Sequence, residues 1–129
     1  MAEPTLADIL LTAAERDQQA FEKLADDPSL HDSLCGFHAQ QAVEKALKAV
    51  LAYAGVVFRR THDIAELLDL LEDSDIGSPP HADDLDALNP YAVEMRYGLI
   101  GVSGLDRQEI GQVLRDVLRW AHHHLGSRQ

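Results

Sequence analysis

The chain has little that would crosslink it, anchor it in a lipid bilayer or spread it along nucleic acid. Cys35 is its single cysteine in 129 residues, so no intramolecular disulfide forms and a reducing compartment is expected. No apolar run approaches the roughly 18 residues that a membrane span needs. Met1 to Asp8 is acidic and lacks the basic start of a secretory signal. The expectation is a cytoplasmic protein with no membrane partner. Aromatic residues make up only 5%, which with plentiful Ala and Leu favours helices over strands. Lys and Arg number 11 against 22 Asp and Glu, a net charge of -11. That excludes broad non-specific binding to nucleic acid, because phosphate contacts need cations.

Several catalytic signatures are missing as well. No Gly-rich loop precedes a Lys-Ser or Lys-Thr pair, so there is no P-loop. No His-Glu-x-x-His occurs, and no Glu-x-x-His, which removes the zinc-helix and di-iron bundle patterns. Cys35 has no second thiol with which to hold zinc, and its place on an apolar helix marks it as buried and inert. His122, His123 and His124 are consecutive, so on a helix they point ~100° apart and cannot converge on one ion. Their expected role is to complement the negative end of a helix. No metal and no cofactor is expected.

What is present is helical periodicity. The length is that of one domain, taken as residues 1–129. Leu6, Ile9, Leu10, Ala13, Ala20, Phe21 and Leu24 place a first helix over Thr5 to Leu24. Pro28 follows closely and ends it. A second helix, Ser29 to Ala54, stops at Gly55 and is apolar over most of its circumference, which predicts a central position. Asp63 with Glu66 three residues on forms a capping-box pattern for a third helix carrying Leu67, Leu68, Leu70 and Leu71. Gly77-Ser78-Pro79-Pro80 breaks the chain. A shorter helix is expected from Ala82 to Met95, kinked or shifted by Pro90, followed by a loop from Tyr97 to Gly104. Asp106 with Glu109 repeats the capping signal before a last helix with Ile110, Val113, Leu114, Val117, Leu118 and Ala121. Its amphipathic face, with Trp120 near the end, is a candidate contact surface. No stretch alternates with period two. The fold class is all-α: an up-and-down four-helix bundle with a short additional helix.

Charge is laid out unevenly. Residues 1–35 carry 8 acidic and 2 basic side chains, residues 36–62 carry 1 and 4, residues 63–95 carry 10 and none, and residues 96–129 carry 3 and 5. Two locally positive segments inside an acidic chain suit a focused anion site where they meet. On the second helix, His38, Gln41, Glu44, Lys45 and Lys48 fall within roughly 120°. As point charges Lys45 and Lys48 are candidates to meet a phosphate; the favoured competing reading makes this the solvent strip of a buried helix. Arg59, Arg60, Thr61, His62 and Asp63 then lead into a helix start, where backbone N–H groups attract anions. The plainer reading gives Thr61 and Asp63 to capping and leaves the arginines open.

Three blocks carry a resemblance. They are Phe37-His38-Ala39-Gln40-Gln41-Ala42-Val43-Glu44-Lys45-Ala46-Leu47-Lys48-Ala49, then Thr61-His62-Asp63-Ile64-Ala65-Glu66-Leu67-Leu68, then Tyr91-Ala92-Val93-Glu94-Met95-Arg96-Tyr97. In content, order and separation they resemble the HEPN domain family (higher eukaryotes and prokaryotes nucleotide-binding) over nearly the whole chain. The resemblance implies an up-and-down helical bundle that forms homodimers. It implies a small prokaryotic protein, often encoded beside a minimal nucleotidyltransferase as half of a toxin–antitoxin type system. Many members are metal-independent ribonucleases whose signature is Arg, four to six residues, then His; the Arg steadies phosphate charge and the His moves a proton. Arg96 occupies the arginine position, but Gly101, Val102 and Ser103 stand where the histidine would be. Arg119 and His124 match the spacing as text, yet lie ~140° apart on a helix and in the wrong element.

The leading expectation is therefore a HEPN protein without that nuclease pair: a dimeric module that binds a nucleotide, a nucleotidyltransferase partner, or both. Candidate contacts are Lys45, Lys48, Arg59, Arg60, His62 and Arg96. The alternative is a ribonuclease toxin that uses Arg96 with a histidine from elsewhere, His62 or His38, on an RNA substrate.

Overall fold

The computed structural model describes residues 3–92 and 105–126 of the chain. Among them the regular elements are all helical: α1 (Leu6–Ala25), α2 (Asp32–Tyr53), α3 (Ile64–Asp73), a four-residue α4 (Ala82–Leu85) and α5 (Arg107–His124). Four main helices and one short one make the all-α bundle that periodicity predicts.

Local chemistry sets the ends. Thr5 caps α1 through a reciprocal box, its hydroxyl accepting from the Asp8 N–H at 3.1 Å while the Asp8 carboxylate accepts from the Thr5 N–H at 3.1 Å. The helix α2 starts later than the sequence suggests, because the His31 ring caps it through the Ser33 N–H at 3.0 Å. It ends at Gly55, whose φ of 76° lets the Val56 N–H reach back to the Leu51 carbonyl at 3.0 Å. The expected Ala82 to Met95 helix is instead broken up. Its chain runs from α4 through a 3-10 turn at Asp86–Leu88 into helical backbone at residues 89–92. Pro90 supplies the reason: it has no N–H for a continuing helix but fits a new first turn. Val93 to Met95 and the expected loop from Tyr97 to Gly104 lie outside the described residues.

The apolar circumference of α2 places it at the centre. Cys35, Ala39, Ala42, Val43, Ala46, Leu47, Ala49, Val50 and Leu51 are all buried, and α2 packs on α1, α3 and α5. Phe21, Ile64, Leu67, Leu71, Leu114 and Val117 close the core from the other helices. Gly36 has a specific task here: the Tyr91 ring lies where a side chain at that position would stand. A short turn, residues 26–31, joins α1 to α2, so the two run antiparallel; α5 also runs antiparallel to α1, its start held at the end of α1 by Arg107. The start of α1 lies by the end of α2, and its middle meets the end of α5 through Glu15 and His122.

Arg107 fastens the opposite end. Its guanidinium donates to the carbonyls of Ala25 at 3.3 Å, Asp27 at 3.0 Å and Leu30 at 2.6 Å, and to the Asp32 carboxylate at 3.1 Å. Three of those partners lie at the C-terminal end of α1 and in the turn that follows, so one cation holds the turn between two helices. Among the described residues no helix is long and apolar enough to cross a membrane.

Candidate functional site

A carboxylate inside the bundle gathers three side-chain donors. Gln40, Glu44 and Lys48 are four residues apart and so stand one above another on a single face of α2. That face meets the segment leading into α3. Gln40 is 0% and Glu44 3% exposed. One Glu44 oxygen accepts from the Gln40 amide at 2.9 Å and from His62 Nδ1 at 3.1 Å. The other accepts from Lys48 Nζ at 2.8 Å. Lys48 Nζ also donates to the Thr61 carbonyl at 2.7 Å, and the Gln40 amide to the His62 carbonyl at 3.2 Å. Burial pushes the Glu44 carboxyl up; the hydrogen bonds from Lys48 and Gln40, the Lys48 charge and the His62 bond outweigh it and hold the group below its ordinary 4.5. Glu44 is thus an ionised acceptor with its lone pairs in use.

Directly above it, the start of α3 uses up its own donors. The Thr61 hydroxyl accepts from the Asp63 N–H at 3.0 Å and the Asp63 carboxylate from the Ala65 N–H at 3.0 Å. The Ile64 N–H donates to the Asn89 side-chain oxygen at 3.1 Å, and the Asn89 amide returns a bond to Asp63 at 3.0 Å. Thr61 and Asp63 do cap the helix, but the N–H groups of Asp63, Ile64 and Ala65 are already taken. Nor does Glu66 complete a capping box. It receives the Arg59 guanidinium through two bonds, at 2.8 and 2.7 Å. Arg60 is exposed, with no partner among the described residues. His62 is also outward, its side chain 46% exposed, and its Nε2 has no partner among the described residues.

The remaining candidates separate. Lys45 Nζ lies 2.7 Å from one Asp17 oxygen and His38 Nδ1 3.0 Å from the other, on the α1 side of α2. The polar sector of α2 is therefore not a solvent strip. It divides into one seam against Asp17 and another against the start of α3. Lys48 and His62 are brought together by Glu44, with Arg60 two residues along the chain from His62, and Lys45 is held apart from them. Arg96 lies outside the described residues. The neighbouring groove between Thr5–Ala7 and Ala52–Phe58 is about 620 Å³ and carries no carboxylate, imidazole or basic side chain, so it is poorly suited to a phosphate.

The family model for the HEPN domain matches residues 7–124. The chain belongs to the HEPN domain family. No curated protein and no solved structure matches it. In this HEPN domain, the text match of Arg119 with His124 places them in different surroundings: Arg119 reaches Asp116 at 3.5 Å, and the His124 ring packs edge-on against Trp120. A second spacing of this kind, Arg115 with His122, is hidden in the same helix. Seven residues put the two on one face, but about 10 Å apart along the axis. Arg115 donates to Gln112 at 3.1 Å, and His122 Nε2 meets Glu15 at 2.8 Å. Neither pair leaves an oriented ring nitrogen beside a guanidinium. Among the described residues no three His, Cys, Asp or Glu side chains gather to hold a metal.

Sequence reasoning missed Gln40 as a site residue. Its signal was there: Gln40, Glu44 and Lys48 form an i, i+4, i+8 row on an otherwise apolar helix. What the arrangement offers chemically is an imidazole oriented from the interior by an ionised carboxylate, two residues along the chain from an arginine that pairs with no acid among the described residues.

Proposed function

We propose that this HEPN protein is a dimeric nucleotide-binding subunit that works with a minimal nucleotidyltransferase in a toxin–antitoxin type system. The observation that carries the reading is the corner made by Arg60 and His62. Of the cations proposed as contacts within the described residues, Lys45, Lys48 and Arg59 are already paired with acids. Arg60 is not, and it suits a phosphate group. His62 adds a polar, half-exposed ring held in place from the interior. The absence of histidine at Gly101, Val102 and Ser103 after Arg96 argues against the family's cutting pair.

The dimer draws support from where apolar surface gathers. Leu6, Ile9, Tyr53 and Val57 are 58%, 54%, 58% and 91% exposed, on the start of α1, the end of α2 and the connector that follows. Trp120 of α5, the sequence candidate for a contact face, is instead half-buried against the core.

Calorimetric titration with ATP tests the nucleotide half. Binding that weakens about tenfold or more in the Arg60→Ala, His62→Ala double variant supports it; no binding at millimolar nucleotide rejects it. Co-purification with a nucleotidyltransferase encoded beside the gene tests the partner half, and failure to associate rejects that half alone.

A second reading is favoured by one observation: Glu44 holds His62 as a base would be held in a ribonuclease. That enzyme would use His62 to take a proton from RNA and Arg96 to steady the phosphate. Slowed growth on expression, relieved by Arg96→Ala or His62→Ala, would establish it. Normal growth with unchanged RNA would dismiss it.

A further inference from the structure

The Glu44 cluster fixes more than the position of His62. An ionised carboxylate accepts hydrogen bonds and cannot donate them. Both Glu44 oxygens face donors: Gln40 and His62 on one, Lys48 on the other. Whatever nitrogen His62 turns toward Glu44 must therefore carry a hydrogen, and that nitrogen is Nδ1, at 3.1 and 3.3 Å from the two oxygens. In the neutral ring the second nitrogen is then bare. The ring is half-exposed, and Nε2 has no partner among the described residues.

We infer that Glu44 is a positioning residue that locks His62 as the Nδ1–H tautomer, so that this corner presents a hydrogen-bond acceptor and selects nucleotides that bring an O–H or N–H donor to it. The inference rests on the nucleotide-binding reading and adds to it the class of ligand. While the ring is neutral, the oxygens of an ionised phosphate, themselves acceptors, can meet Arg60 but not the bare Nε2. The donor must come from the sugar or the base, as a ribose hydroxyl or an exocyclic amine. Lys48 and Gln40 have the further task of keeping Glu44 ionised and aimed. They act on the ligand only through His62.

The tautomer is read directly from long-range 1H–15N spectra of the full-length protein at pH 8. Protonated Nδ1 with bare Nε2 for His62 is the expected result. A protonated Nε2, or a ring averaging both forms, overturns the inference without any variant having to fold. The ligand class is read by titrating the wild-type protein with ATP, with dATP, which lacks the 2′-hydroxyl, and with purine riboside triphosphate, which lacks the exocyclic amine. One of the two analogues should bind about five- to tenfold more weakly than ATP, and which one does so names the donor. In His62→Phe, which removes the acceptor, the three should bind alike. Equal affinities in the wild type, or discrimination that survives in His62→Phe, overturn the selectivity. If none of the three binds, the nucleotide reading itself fails and takes the selectivity with it, while the tautomer still stands or falls on the spectra.

Discussion

Two histidine–carboxylate pairs in this molecule are built from the same chemistry and arranged in opposite senses. In the Glu44–His62 pair the acid is inside, its side chain 4% exposed, and the ring is outside at 46%. In the Glu15–His122 pair the ring is the more enclosed member, at 24%, and the acid faces out at 42%. His62 spends Nδ1 on its partner, and its Nε2 has no partner among the described residues. His122 spends Nε2 on its partner, and its Nδ1 is buried with no hydrogen bond among the described residues. A buried, well-supplied acid makes a ring that is oriented and still able to meet a ligand. An outward acid on an inward ring makes a clasp between α1 and α5. Similar distances, 3.1 and 2.8 Å, therefore do not separate a site from a strut; which partner is buried does.

The sharpest way to break the comparison is to remove each acid. Glu44→Ala leaves Lys48, whose side chain is only 12% exposed, with an uncompensated charge in the interior. The expected loss is about 3–5 kcal/mol of unfolding free energy in urea denaturation. Glu15→Ala removes an outward group whose ring partner was already half-unsatisfied, and should cost about 1 kcal/mol or less. Equal losses would show that Glu44 is not the buried anchor that its surroundings make it.

Acid should find the same asymmetry. Glu44 is held below its ordinary 4.5 in the fold, so the unfolded chain binds the proton more readily. The stability it supplies is complete above pH 4.5 and is lost as pH falls through its folded value. His124 gives a separate, smaller limb. Burial first, and the neighbouring His123 second, push it below its ordinary 6.5. The unfolded chain then takes up that proton first, and stability declines as pH falls below 6.5 toward the folded value. Urea midpoints followed from pH 7.5 to about 2.5 should show both limbs. His124→Leu should erase the upper one and leave the lower.

Most of the fold was legible from the chain because its causes are local. Leu and Ala at helical spacing set the elements, Asp63 and Asp106 cap α3 and α5 as their positions indicate, and Gly55 ends α2. The errors came where a distant group decided the outcome. His38 and Lys45 look like solvent-facing polar residues until Asp17, 21 and 28 positions earlier, is brought against them. Glu66 looks like half of a capping box until Arg59 folds onto it. The site was half legible. His62 and Lys48 stand out by type, but that both address Glu44 depends on how the segment before α3 lies across α2, which no periodicity records. Gln40 was passed over because a glutamine beside alanines carries no charge to attract notice, although its amide is fully buried and fully bonded.

The finest test separates position from stability within the outward pair. His62→Ala removes a ring that is nearly half in solvent, while Glu44 keeps Lys48 and Gln40 as donors. The unfolding free energy should move by no more than about 0.5 kcal/mol. His122→Ala removes the clasp and with it a buried nitrogen that has no partner among the described residues, so two effects of opposite sign leave a loss of about 1 kcal/mol at most. The two alanine variants should thus differ little in denaturation but clearly in ligand titration: His62→Ala binds ATP about five- to tenfold more weakly, and His122→Ala binds it as the wild type does. If His62→Ala were instead the more destabilising of the two, the ring would be holding the connector down on α2. Glu44 would then be a structural anchor for the start of α3, and the outward nitrogen would be incidental to it.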